Sequence, residues 1–281
     1  MFALMRFELR KLMAQRRSLV AFGAIGMMNV LFALAFWMRN HHAGQKPLRE
    51  ANGRLVSEFM NAYVYTQTIL APCVFMLFPV ILSIIGCHLL AGEIEMGHMR
   101  LLLCRPVNRW QIVLAKFAAL SFYSLLMLAC LFTVSYGVSA LMFAPAGDVI
   151  IPGPMYMLER AGIIIHPQET ALARMLWSYI LAWPMLMSVV AMALMFSLIT
   201  RHFTAAAVLT STVYFCSYIV SGIPLLSSIH PFMPTRYLPF WRYALLPTIP
   251  WQTMAVDAGW TAAYTVGFLT LAMGLFSTQD V

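Results

Sequence analysis

Charge is what this chain has least of. Only 10% of its residues are Asp, Glu, Lys or Arg, against 62% hydrophobic, where a soluble globular chain carries roughly 25% charged residues. With a mean hydropathy of +0.80, an ordinary water-soluble fold is excluded, and the 281 residues are better spent on membrane spans of about 20 residues each. Lysine is scarcer still: it occurs at Lys11, Lys46 and Lys116, never after a glycine. The glycine-rich loop ending in Gly-Lys-Ser/Thr that holds nucleotide phosphates is therefore missing, and the chain cannot hydrolyse ATP by that route. His-Glu-x-x-His, Gly-x-Ser-x-Gly and Cys-x-x-Cys are missing too, so metal-hydrolase, serine-hydrolase and dithiol chemistry have no local support. Cys73, Cys87, Cys104, Cys130 and Cys216 lie in or beside apolar runs rather than in long loops, which argues against a disulfide framework.

What is present is a series of charge-free runs. They predict an all-α integral membrane protein forming one domain over 1–281, with spans near 18–38, 64–90, 117–142, 176–199, 203–223 and 254–276. Gly222-Ile223-Pro224 ends the fifth run, since proline cannot continue the backbone ladder. The first run follows the basic stretch Arg6, Arg10, Lys11, Arg16, Arg17, is too long for a signal-peptide core and reads as an uncleaved span. A net charge of +8 would suggest nucleic acid in a soluble protein. Here the basic residues flank apolar runs and point to anionic lipid instead, with no nucleic-acid partner expected.

Lysine and arginine placement sets the expected orientation. Residues 1–17, 92–116 and 200–202 concentrate Arg6, Arg10, Lys11, Arg16, Arg17, Arg100, Arg105, Arg109, Lys116 and Arg201. The other connections spread their basic residues over longer loops with more acidic neighbours. Both termini are expected in the cytosol of a cell carrying the protein in its plasma (inner) membrane. At the N-terminus, Phe2, Met5, Leu9 and Leu12 recur at helical spacing, which suits an interfacial helix lying in the headgroup plane; a plain extension of the first span is the alternative. Residues 227–252 carry Pro231, Pro234, Pro239, Pro247 and Pro250 among Trp241, Tyr243 and Trp251. That segment is either partly re-entrant or a loop lying on the bilayer.

His41-His42 and the 22 methionines could suggest a soft-metal path. Methionine is equally a filler of apolar cores, and no metal site is assigned. Ionisable groups within the spans are almost absent, with Asp257 the only acidic candidate and that one near an interface. This weakens an ion-coupled carrier, which needs buried groups to take up the driving ion. An energy source outside the membrane becomes attractive.

Its docking surface is the polar island at 92–116. Glu93 to Leu103 is expected to form a short helix with Glu93 and Glu95 at its positive end. Pro106 breaks it, and Asn108 caps a second helix with Gln111 completing a capping box. That second helix carries Lys116 into the third span, so the island can pass movement from water into the membrane. A solvated connection anchored by snorkelling arginines is the simpler alternative.

The island resembles the membrane subunits of ABC-2-type exporters. Their recurrent signature, a Glu-rich turn, Gly-Thr, then Leu-Leu-x-x-Pro-Val-x-Arg and a Lys at the next span, is matched by Gly92, Glu93, Glu95, Gly97, Leu102, Leu103, Pro106, Val107, Arg109 and Lys116. His98 replaces the usual Thr and Cys104 a commonly small residue. Glu8 and Lys11 in Phe7-Glu8-x-x-Lys11 before the first span, and Phe276 with Gln279-Asp280-Val281, resemble the family's two ends. The resemblance implies a half-transporter: two such membrane subunits, as a homodimer or with a close paralogue, and two copies of a separate ABC ATP-binding subunit that carries the ATP and Mg. This chain would bind no cofactor and have no catalytic residue. Gly92–Leu103 would be the coupling helix, with Glu93, Glu95, Gly97, His98, Arg100, Leu103, Arg105, Pro106 and Arg109 meeting the ATPase or lipid headgroups. The cargo path would run along the second and fifth spans past Asn61, Tyr65, Gln67, Tyr214 and Tyr218. A lipid, hydrophobic peptide or amphipathic compound suits an apolar path. The alternatives are a non-transporting sensor or immunity module that binds the same ATPase, and a metal-related permease.

Overall fold

The computed structural model describes residues 2–43, 61–99, 108–143, 148–152, 163–223, 225 and 228–278. Six helices among these residues are long and apolar enough to cross a membrane. A helix α1 (Phe2–Ala14) comes first, followed by α2 (Arg16–Ala43). The remaining spans are α3 (Ala62–Glu95), α4 (Arg109–Met142), α5 (Gln168–Thr200), α6 (Phe203–Gly222) and α7 (Trp251–Thr278). The side chains of His41 and His42, and all of Arg100, Leu103, Arg105 and Pro106, lie outside the described residues.

α5 is the centre of the bundle. Its sequence is apolar all round, and it packs against α3, α4, α6 and α7 while Trp177 and Ile180 stay exposed. α2 is peripheral: Val20, Met27 and Val30 are 69%, 63% and 63% exposed. An outward face this apolar needs acyl chains around it rather than water. The span ends differ from the sequence expectation in one direction. α3, α4, α5 and α7 all run past the apolar runs that announce them, because a helix continues into its polar flanks until a turn residue stops it.

α3 is not a uniform helix. Asn61 caps it, its side-chain oxygen accepting from the Tyr63 and Val64 amides at 3.0 Å each. Pro72 lies inside it, and π-helical segments follow at Cys73–Leu77 and His88–Gly92. Such segments widen a helix by one residue and offer its carbonyls to partners from outside. Both are used that way: the Tyr214 hydroxyl donates to Phe75 O at 3.2 Å, and the Lys116 ammonium to Leu89 O at 2.9 Å.

Tyrosines brace the other contacts. Tyr65 donates to Asn29 O, Tyr123 to Ser18 O and Tyr179 to Thr66 O, each at 2.8 Å. In lipid no hydrophobic drive holds helix to helix, so close packing and such interhelical hydrogen bonds carry the association.

At the end of the bundle away from α1, the chain does two things its sequence did not announce. Val149–Pro152 and Ile163–His166 pair as a two-stranded antiparallel sheet, β1 and β2. Asn61 Nδ2 ties α3 to this sheet by donating to Asp148 O at 2.7 Å. The proline-rich segment, expected on or partly in the bilayer, folds onto the protein. It forms a short helix Pro234–Tyr237 and a 3₁₀ run Leu238–Leu245 that packs on α5, with Trp241 fully buried. Arg174 donates to Ala244 O and Pro247 O at 3.2 and 3.1 Å, and His166 Nε2 to Leu245 O at 2.7 Å. Tyr243 donates to Asp257 at 3.0 Å. The prolines remove backbone donors, and side chains from β2, α5 and α7 take up carbonyls that remain, Thr261 of α7 donating to Tyr237 O at 3.3 Å.

Candidate functional site

The polar island begins earlier in the fold than its sequence suggests. Glu93–Glu95 is the last turn of α3 itself, closed at Met96 and by Gly97 in the left-handed region at φ 72°. Glu93 and Glu95 therefore sit at the negative end of a long helix, where its dipole opposes them, and not at the positive end of a short one. Each needs a partner from elsewhere: Glu93 has two lysines and Glu95 the first amide of α6.

Glu93 is buried and binds lysines from two other helices. Its Oε1 lies 2.5 Å from Lys11 Nζ of α1 and its Oε2 2.7 Å from Lys116 Nζ of α4. Lys116 is fully buried, and its ammonium has three protons to place. They go to Glu93, to Leu89 O at 2.9 Å and to Glu8 Oε1 of α1 at 3.3 Å. Two carboxylates and two ammoniums thus cancel in a buried site, the condition under which such burial is tolerable. Glu8 is the weak leg: its Oε2 is buried without a partner among the described residues. α1 consequently turns Glu8 and Leu12 inward against the protein and leaves Phe7 55% exposed.

Glu95 faces the other way. Its Oε2 accepts from the Phe203 amide, the first of α6, at 3.0 Å, and its Oε1 lies 3.8 Å from His202 Nδ1. The Phe203 ring is held by Arg17 of α2, 5.6 Å above its centroid, and by the His88 ring edge-on at 5.4 Å. His98 is exposed beyond Gly97. At the start of α4, Asn108 occupies the cap position without a side-chain cap bond, so the expected capping box with Gln111 does not form. Arg109 instead reaches α7, donating to Phe276 O at 3.1 Å with its guanidinium 5.9 Å from that ring. A cation there neutralises the carbonyl end of α7.

Of the residues expected along a cargo path, Asn61, Tyr65, Gln67 and Tyr214 engage polar atoms inside the bundle. Asn61 and Tyr65 are cap and brace as described, and Gln67 Oε1 accepts from Ser178 at 3.1 Å. Tyr214 is a brace and stacks on Tyr218 at 6.5 Å. The cavity that Tyr214 lines with Ser188, Met192 and Thr235 measures about 10 Å³, room for one water. A larger open groove of about 230 Å³ lies between α4 and α5, lined by Leu125, Leu128, Ala129, Phe132, Thr133 and Tyr179. It touches neither Tyr214 nor Tyr218.

Sequence reading did not single out Lys116 as the hub, nor Arg17, His202 and Phe203 as partners of the island. One signal was available: ionisable groups buried at membrane depth are functional or structural pivots by default, and Glu8, Lys11, Glu93 and Lys116 flank the spans at matching depth.

Six helices long and apolar enough to cross a membrane, with the Glu8, Lys11, Glu93 and Lys116 ion pairs at one end, define a multi-pass membrane protein. The profile described as "ABC-2 family transporter protein" matches residues 2–281, and the chain belongs to that family, whose membrane members are transport subunits and not enzymes. It is also similar to the "Uncharacterized protein YhcI" of Bacillus subtilis (strain 168), 26% identical over 206 residues. That match takes in 70% of this chain and 63% of the relative, so the chain spans less than two thirds of the relative's length.

Proposed function

We propose that this chain is the membrane-spanning half of an ATP-driven exporter, working with a separate ATP-binding subunit. The observation that carries the reading is the neutral buried cluster Glu8–Lys116–Glu93–Lys11 at the root of the α3–α4 connection. It pins three helices together where a force arriving through the connection enters the spans.

In this reading α1 lies at the cytosolic membrane surface, both termini are cytosolic, and residues 96–108 seat in the ATP-binding subunit as the coupling element. ATP and Mg are held by two copies of that partner. Closing on ATP, it presses on the connection, and the differential affinity of ATP for the two arrangements of the spans does the work. Two membrane subunits complete the transporter. The water-sized cavity at Tyr214 supports a cargo route between subunits, and the apolar outer faces support a lipid, hydrophobic peptide or amphipathic compound as cargo.

The test is purification from native membranes in mild detergent. The chain is expected to copurify with a P-loop ATPase and to show ATP hydrolysis only with it. The double variant Glu93→Gln/Lys116→Met removes one charge of each sign and keeps the cluster neutral. It should retain the bound ATPase while ATP-driven movement of a fluorescent headgroup-labelled phospholipid in proteoliposomes falls at least tenfold per ATP. Recovery of the wild-type chain without any ATPase sinks the proposal, and so does unchanged movement per ATP in the double variant.

A further inference from the structure

Glu95 has a partner inside the chain. α5 and α6 are joined by a joint of Arg201 and His202, in which Arg201 closes α5 in the left-handed region at φ 57°, ψ 3°. A non-glycine residue reaches that region only where the surrounding structure holds it. His202 sits at the N-cap of α6 but makes no side-chain cap bond. The cap is supplied by Glu95, from 108 positions away in the chain, through the Phe203 amide. The exposed amides and dipole of a 20-residue helix favour an anion at that point, and Glu95 is the anion. Glu95 is the last residue of α3, so its carboxylate hinges on the same turn, Met96-Gly97, from which the α3–α4 connection departs. Phe203 is gripped a second time through its ring by Arg17 and His88.

We infer that Glu95 is a positioning residue that clips the first turn of α6 to the root of the α3–α4 connection, making α6 the span driven by that connection. The short α5–α6 joint is then not a second docking point for a partner. It follows the first connection through one charge-assisted cap. This rests on the coupling role proposed above. It adds a direction to the motion: displacement of the connection passes to α6 at Phe203, while the Glu8–Lys116–Glu93–Lys11 cluster holds α1, α3 and α4 together as the base.

The experiment uses the complex of this chain with its ATP-binding subunit in lipid nanodiscs. One spin label is placed on the exposed Cys216 of α6 and one on α2 at Val20→Cys, with Cys104 and Cys130 replaced by Ser. The α2–α6 distance is read with and without ATP, and amide exchange at Phe203 reports the clip itself. In Glu95→Ala, Phe203 exchange should rise roughly fivefold, the usual effect of losing a helix cap. The ATP-dependent distance change should fall to less than half while the ATP-binding subunit stays bound and active. Glu95→Gln keeps an acceptor and should restore much of both signals. An ATP-dependent change of full size in Glu95→Ala, with Phe203 exchange raised, overturns the clip and leaves the coupling reading standing. Absence of any ATP-binding subunit on the wild-type chain overturns both.

Discussion

The ammonium of Lys116 lies 2.7 Å from the carboxylate of Glu93, with neither side chain more than 3% exposed. Lys116 lies two turns into α4 and Glu93 in the last turn of α3, and the α3–α4 connection runs between them. Removing one member of a buried pair leaves the other charged and dry, which typically costs about 3–5 kcal/mol. Lys116→Met should therefore destabilise the protein by that order, read as a lowered melting temperature in detergent. Glu8→Gln should cost clearly less, because its bond to Lys116 is 3.3 Å and its second oxygen has no described partner. Lys11→Ala should cost least, since Lys11 remains 32% exposed and water screens it.

The tyrosine braces make a second prediction. Tyr65→Phe, Tyr123→Phe, Tyr179→Phe and Tyr214→Phe each delete one hydroxyl that donates to a neighbouring helix. Interhelical hydrogen bonds in membrane proteins are worth about 0.6 kcal/mol on average, so each variant should lose about that much stability. Steric-trap or denaturant unfolding in bicelles measures it. Full stability in all of them would show that the hydroxyls serve something other than the bundle.

Gly97 closes α3 at φ 72°, where a side chain costs about 1–2 kcal/mol. No atom of the described residues stands within 4 Å of a Cβ built there, so Gly97→Ala tests chiefly backbone conformation. It should speed amide exchange through Glu93–Glu95 roughly tenfold and leave the far end of the bundle unchanged. Gly97→Asn should recover part of the loss, since asparagine tolerates the left-handed region.

His166 gives a pH signature at the opposite end. Burial lowers its pKa below the ordinary 6.5, the charge of Arg174 adds to this, and the hydrogen bond to Leu245 O works against both. A lowered pKa means that the fold holds the neutral ring. The stabilisation is complete above about pH 6.5 and is lost as the pH falls from there through the folded value. Amide exchange in the 3₁₀ run Leu238–Leu245 should therefore accelerate on acidification over that window. The slope should vanish in His166→Gln.

Much of this fold is legible in the chain because a bilayer demands it. A helix must satisfy its own backbone in lipid, so charge-free runs announce six long apolar helices, while their ends, up to eight residues further on, lie in polar flanks that carry no such signal. The error at Glu93 and Glu95 has a physical origin. Their acidic character fits a helix start by the dipole rule, but α3 continues through them, and Lys11 and Lys116, distant in sequence, reverse the local balance. Tyr65 and Tyr214 look like ligands in a list of polar residues within apolar runs. Their partners are main-chain carbonyls, which no residue pattern announces. The folding of Trp241 onto α5 was hidden for the same reason: it depends on Arg174 and His166 meeting carbonyls far along the chain.

The central claim, that the α3–α4 connection is where ATP-driven force enters, is tested most directly at His98. That residue is exposed just beyond the Gly97 turn, and a photoreactive amino acid can replace it without touching the buried cluster. In membranes containing the intact complex, illumination should join it to the ATP-binding subunit, with a yield that changes when ATP is added with vanadate. Cross-links to lipid alone, with the ATP-binding subunit still bound to the chain, would contradict the account.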